Sequence, residues 1–212
     1  MSEFDDALAG LYKVFATFPP KEIFGCYCCL DQPERDLLLT KKLGVLTSAD
    51  LASYASSVFL TVGDVSDYRY FLPRIFDLSA SDLNWWPSPE VVLRALTLAE
   101  WDGWPGDERE AIERFLRAWL DQWSGEREGG WSEIDSLLCG VARAGLDISP
   151  YLQRLLAPSG LPGLRELDRL NRDAALRGAS AENFWGDAPD DWRRLTDFLL
   201  SDDVAVRLSS KT

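Results

Sequence analysis

Almost the whole chain is written in a 3.6-residue apolar rhythm, cut into segments by proline, glycine and capping residues, and that rhythm admits little besides helix. Phe4, Leu8, Leu11, Tyr12 and Phe15 fall on one face, and Pro19-Pro20 closes that segment. Thr47 or Ser48 caps the next, with Leu51, Tyr54, Ala55, Val58 and Phe59 as its buried stripe and Gly63 as its break. Ser66 or Asp67 starts a third with Tyr68, Phe71, Leu72 and Ile75 inward; Pro73 inside that stripe predicts a kink. Ser88-Pro89-Glu90 combines a capping hydroxyl, proline at the first helical position and an acid at the positive end of the dipole.

The second half continues in the same way. Pro105 to Asp107 opens the most amphipathic segment, with Ile112, Phe115, Leu116, Trp119 and Trp123 on one face. Beyond a polar break over 125–130 come Ile134, Leu137, Leu138, Val141 and Ala142, closed by Gly145. Ser149-Pro150 begins a short helix bearing Leu152, Leu155 and Leu156, and Leu164, Leu167, Asn171 and Ala174 mark another. Asp187 to Asp191 opens a last pair through Trp192, Leu195 and Leu199. Phe24 to Leu30 is the nearest approach to a strand, and it has no evident partner.

These segments predict an all-α protein, a single domain over 1–212, built as an irregular array of antiparallel helix pairs. Pairs near 48–78, 88–123, 131–157 and 161–200 have the loose spacing of two-helix repeats, without a repeated residue signature. A HEAT-like superhelix and a compact bundle both fit. The proline-bearing Phe71-Leu-Pro-Arg-Ile-Phe segment, like the kinked helices of HEAT arrays, favours the first.

The net charge of -13 is spread evenly: residues 1–106 carry 8 basic and 15 acidic side chains, residues 107–212 carry 14 and 20. Such a field repels nucleic acid and anionic membrane and attracts a basic protein. Histidine is absent, which removes the commonest general base and metal ligand, and with it Ser–His–Asp and Cys–His machinery. The amino terminus has no basic, apolar leader pattern, and no apolar run is long enough to span a bilayer. The expectation is a cytoplasmic protein with reduced cysteines and no cofactor.

Cys26, Cys28 and Cys29 sit in Phe24-Gly-Cys-Tyr-Cys-Cys-Leu. The Cys26/Cys29 spacing suits half of a zinc site, but only Cys139 remains to complete it, so the reading favoured is three small buried apolar side chains and no metal. Acidic pairs such as Asp64/Asp67 and Asp202/Asp203 lie where helices begin, and capping accounts for them. Arg69 and Arg74 are placed to lock onto Asp64 and Asp67, or Asp64, Asp67 and Arg74 to line a groove. Nine tryptophans are present, none before Trp85. Trp85, Trp86, Trp101 and Trp104, in loops or at helix ends with Asp82, Glu100 and Asp102 nearby, read either as anchors for a cationic partner or as plugs of the core.

The segment Thr61-Val-Gly-Asp-Val-Ser-Asp-Tyr-Arg-Tyr-Phe-Leu-Pro-Arg, together with Gly25-Cys-x-x-Cys29, resembles a pattern in a group of uncharacterised bacterial all-helical proteins over residues 24–78. That resemblance implies a bacterial helical protein and no particular activity. From the residues themselves, the expected function is non-enzymatic: an acidic immunity or antitoxin-type inhibitor that binds a basic toxin. A helical adaptor is the alternative, and a carboxylate–magnesium enzyme a third reading.

Overall fold

The computed structural model describes residues 2–125, 133–176 and 184–209. Among them the chain forms eleven α-helices and no strand, and no helix is long and apolar enough to cross a membrane. The helices are α1 (Glu3–Val14), α2 (Gln32–Thr40), α3 (Ser48–Ser57), α4 (Val65–Ser81), α5 (Pro89–Leu98), α6 (Gly106–Ser124), α7 (Glu133–Arg143), α8 (Ser149–Leu155), α9 (Leu161–Leu176), α10 (Pro189–Leu199) and α11 (Asp202–Ser209). The chain packs as two units, Met1–Phe115 and Leu116–Thr212.

Unit 1 gathers around α4, which packs against α1, α3 and α5. Eleven of its 17 residues are buried, including Tyr68, Phe71, Leu72, Ile75 and Phe76. A helix apolar on nearly every side belongs in a core, because a one-sided stripe would leave part of that surface wet. The helix runs on through Pro73, which is itself buried. Aromatic rings fill the space around it: Tyr54 meets Phe71 at 4.9 Å, Phe76 stacks on Phe115 at 5.8 Å, and Phe4 lies 5.4 Å from Phe115.

Four helices of this unit start with reciprocal capping boxes, in which a side chain at the cap and one three residues on each accept the other's backbone N–H. Ser2 with Asp5 opens α1, Asp31 with Glu34 opens α2, Thr47 with Asp50 opens α3, and Asp64 with Asp67 opens α4. The α4 cap is therefore Asp64, ahead of the Ser66 or Asp67 that the apolar stripe suggests. Helix α3 ends at Ser57, where Val58 takes an extended conformation and Phe59 a left-handed one (φ 62°), well before Gly63. Ser88 does occupy the cap of α5, but its hydroxyl makes no cap bond.

In unit 2, α7 packs on α9, α8 on α9 and α10, and α11 on α9 and α10. Trp119 and Trp123 meet edge to face at 5.1 Å, and Leu137, Leu138, Leu155, Leu164, Leu167 and Leu195 are buried with them. Arg154 grips Asp121 through two N–H groups, one at 2.9 Å. Gly163 lets the start of α9 approach closely, since a Cβ there would stand 2.9 Å from the Ser124 Cα. Of the polar break expected over 125–130, residues 126–130 lie outside the described residues, as does the side chain of Ala174.

Gly63 is a position where the unit 1 backbone has little freedom. Its φ of +74° is left-handed, and a Cβ would stand 2.9 Å from Asp67 Oδ1 and 3.1 Å from the Tyr54 hydroxyl. Gly63→Ala should cost about 1–2 kcal/mol from backbone conformation alone, with the crowding of Asp67 added to that. Urea denaturation of the variant beside the wild type measures it; an unchanged midpoint would refute the assignment.

Candidate functional site

The two segments that stand out in the sequence, 24–30 and 61–67, lie against each other. Gly25 and Val62 form an antiparallel bridge, in which Cys26 N–H donates to the Thr61 carbonyl (2.8 Å) and Gly63 N–H to the Phe24 carbonyl (2.8 Å). Residues 24–26 thus have a backbone partner after all, though too short a one for a strand. Gly25 has a φ of +123°, and a Cβ there would collide with the Thr61 carbonyl and Val62 Cα. Only glycine lets the chains come this close.

Behind the bridge stands Asp67, 2% exposed. The Tyr54 hydroxyl donates to it, and Asp64 N–H donates to both its oxygens at 3.1 Å. Asp64 in turn accepts from Ser66 N–H (2.7 Å) and Asp67 N–H (3.1 Å). Burial pushes Asp67 above the usual carboxylate range, to about 6, against the lowering effect of the Tyr54 and Asp64 donors.

On the other side of the bridge, Arg35 of α2 is 4% exposed. Its Nε donates to the Leu30 carbonyl (2.9 Å), Nη1 to that of Ile23, and Nη2 to those of Gly25 and Cys26 (3.1 Å each). The guanidinium also lies 4.5 Å from the Tyr27 ring centre. A buried cation needs its donors satisfied, and this one is satisfied by the backbone of residues 23–30. Sequence reading missed both α2 and Arg35. The Asp31-Gln-Pro-Glu34 start signal is present, but Arg35-Asp36 interrupts the apolar rhythm that follows.

The loop so held presents its side chains outward. Phe24 is 59% exposed, Tyr27 65% and Leu60, across the bridge, 55%. Cys28 is exposed and Cys26 and Cys29 half-buried, so the three thiols are not the buried apolar group expected. The turn that carries them brings all three to one place because it closes on the Cys26 carbonyl. Glu22, Phe24, Tyr27, Gln32, Arg35 and Leu39 are among the residues lining an adjoining cleft of about 290 Å³.

The remaining candidates do not gather here. Asp82, Trp85 and Trp86 lie between the end of α4 and the start of α5, whereas Glu100, Trp101, Asp102 and Trp104 follow its end. Ten residues of helix, about 15 Å, separate the two groups. Three of the four indoles are core residues: Trp85 donates to the Ser48 carbonyl (2.8 Å) and Trp104 to that of Ala99 (3.2 Å), and Trp101 is buried with them. They are placed as plugs, with Glu100 and Asp102 exposed above them. Trp86 alone is well exposed, at 58%.

Asp82 is engaged by the Ser48 hydroxyl (2.6 Å). Neither arginine locks onto Asp64 or Asp67. Arg74 pairs with Asp77 (2.5 Å) and donates to the Leu46 carbonyl (2.8 Å), and Arg69 pairs with Glu108. Both point away from the α4 cap because a helix turns side chains five and ten positions on toward other neighbours. Compared with protein-family models, curated proteins and solved structures, the chain matches none.

Native Asp67 holds its proton more tightly than it would in the unfolded chain. Its contribution therefore favours folding below about pH 4 and is lost as pH rises through about 6. Tyr54→Phe removes a donor that supports the ionised carboxylate and should cost about 1–3 kcal/mol near pH 7. The penalty should shrink at about pH 5. Denaturation curves at both pH values test this, and equal penalties would count against it.

Proposed function

We propose that this chain is a non-enzymatic binding protein that docks a basic protein on the loop end of unit 1, and that its role is that of an immunity or antitoxin-type inhibitor of a bacterial toxin. The observation that carries the reading is the group Phe24, Tyr27 and Leu60, three large exposed side chains on backbone tied down by the Gly25–Val62 bridge and by Arg35. Large apolar groups left exposed on ordered backbone are candidates for interaction sites. Aromatic residues supply a large share of interface affinity, and a loop already ordered loses little conformational entropy when it binds.

The net charge of -13 supports a basic partner. It would speed encounter and discourage acidic competitors. Proteins that cut or modify nucleic acids carry basic surfaces for their own substrates, and these are the toxins such an inhibitor would suit. The anchors are then Phe24, Tyr27 and Leu60 of the cysteine-bearing end, with three of the four loop tryptophans inside the core.

Affinity capture from the native host with wild-type protein, a Phe24→Ala/Tyr27→Ala double variant and Trp86→Ala separates the two surfaces. Wild type and Trp86→Ala should retain the same basic protein. The double variant should lose about 2 kcal/mol or more, roughly a 30-fold rise in Kd. Association with the purified partner should slow as salt rises, and co-expression should relieve the partner's toxicity. Unchanged affinity in the double variant, or a partner that is acidic or harmless, would overturn the proposal.

A further inference from the structure

The three thiols of the loop form a donor set that partner binding does not use. The Sγ atoms of Cys26, Cys28 and Cys29 all lie within 4.8 Å of one another, with Cys26 and Cys28 at 2.7 Å and Cys28 and Cys29 at 3.9 Å. Among the described residues no carboxylate or fourth cysteine joins the group.

The loop also holds the three sulfurs on ordered backbone. It turns tightly on the Cys26 carbonyl, which accepts from Cys29 N–H (3.3 Å) and Leu30 N–H (3.2 Å). The Arg35 guanidinium, bonded to the Gly25 and Cys26 carbonyls, fixes the backbone that leads into the turn. Solvent reaches the group through Cys28, which gives an ion a way in.

We propose that Cys26, Cys28 and Cys29 form a three-sulfur site for a soft, thiophilic cation, and specifically for Cu(I). Soft thiolate ligands select Cu(I), zinc or iron–sulfur clusters. Structural zinc is almost always four-coordinate and iron–sulfur clusters take four cysteines, whereas a cuprous ion is content with three sulfurs. Each thiol that coordinates gives its proton to solvent and forms one metal–sulfur bond, and copper enters and stays as Cu(I). The inference is independent of the docking proposal, because the phenyl ring of Phe24 contributes nothing to the donor set.

Reduced, metal-free protein titrated anaerobically with Cu(I) against a chromophoric Cu(I) chelator tests it, with native mass spectrometry for stoichiometry. Wild type, Phe24→Ala and Cys139→Ser, the last altering a buried thiol of α7, should each bind one Cu(I) per chain. Cys26→Ser, Cys28→Ser and Cys29→Ser should each weaken binding by more than ~100-fold, beyond the loss of a mere supporting group. Cys28 is exposed, so its serine variant should keep the wild-type melting curve, which separates lost ligation from lost folding. Zn(II) binding with no stoichiometric Cu(I), a Cys26–Cys28 disulfide that re-forms in preference to metal uptake, or serine variants that bind Cu(I) normally would each overturn the assignment.

Discussion

Much of unit 1 depends on a carboxylate that is kept dry. The first turn of a helix leaves four N–H groups without partners inside the helix, and at the start of α4 side chains supply them, one of them from the buried side. Asp64 and Asp67 fill that need between them, and Tyr54 reaches across from α3 to bind the buried member. The arrangement ties the central helix to its neighbour by a polar contact in an otherwise apolar core. It also leaves no room for a side chain at position 63, so the backbone there turns left-handed and offers its N–H to Phe24. The placement of the cysteine loop thus descends, contact by contact, from the capping of one helix.

The two buried charges at this end are handled differently. Asp67 receives donors and is drawn toward its protonated form, while Arg35 cannot give up its proton and must find acceptors instead. It takes them from four carbonyls of a segment with no regular structure. Irregular backbone is costly to bury because its polar groups lack partners, so the loop and the arginine each answer the other's need. Tyr27 covers one face of the guanidinium with its ring and leaves its other face to solvent.

Helix positions were legible in the sequence because burial and periodicity agree. The stripes read for α3 and α4 fall on buried residues such as Leu51, Tyr54, Phe71 and Ile75. Helix α2 was not legible: its buried face includes an arginine, which breaks the apolar pattern by the very feature that makes the helix important. The tryptophans admit two readings in the sequence for a related reason. Indoles beside acids in short connections look like surface anchors, yet an indole N–H that reaches a backbone carbonyl, as in Trp85 and Trp104, is at home inside. Nothing in one dimension distinguishes these cases, because the deciding partners, Ser48 and Ala99, lie on other elements or a turn away. Cys26, Cys28 and Cys29 were noticed, but their exposure could be known only once the loop had a partner strand segment to rest on.

The bridge between 24–26 and 61–63 has a consequence for how this chain can change over evolutionary time. Gly63 belongs at once to the α4 cap, through Asp64, and to the bridge, through Phe24. One residue inserted between Val62 and Asp64 would let the helix begin as before while shifting the bridge to residues 24–26 out of step. Insertions near the exposed Leu83 and Asn84 meet no such double bookkeeping. Length variation should therefore be tolerated at that corner and purged at 62–64, so that the spacing from Val62 to Asp67 is under tighter selection than the identity of most residues it contains.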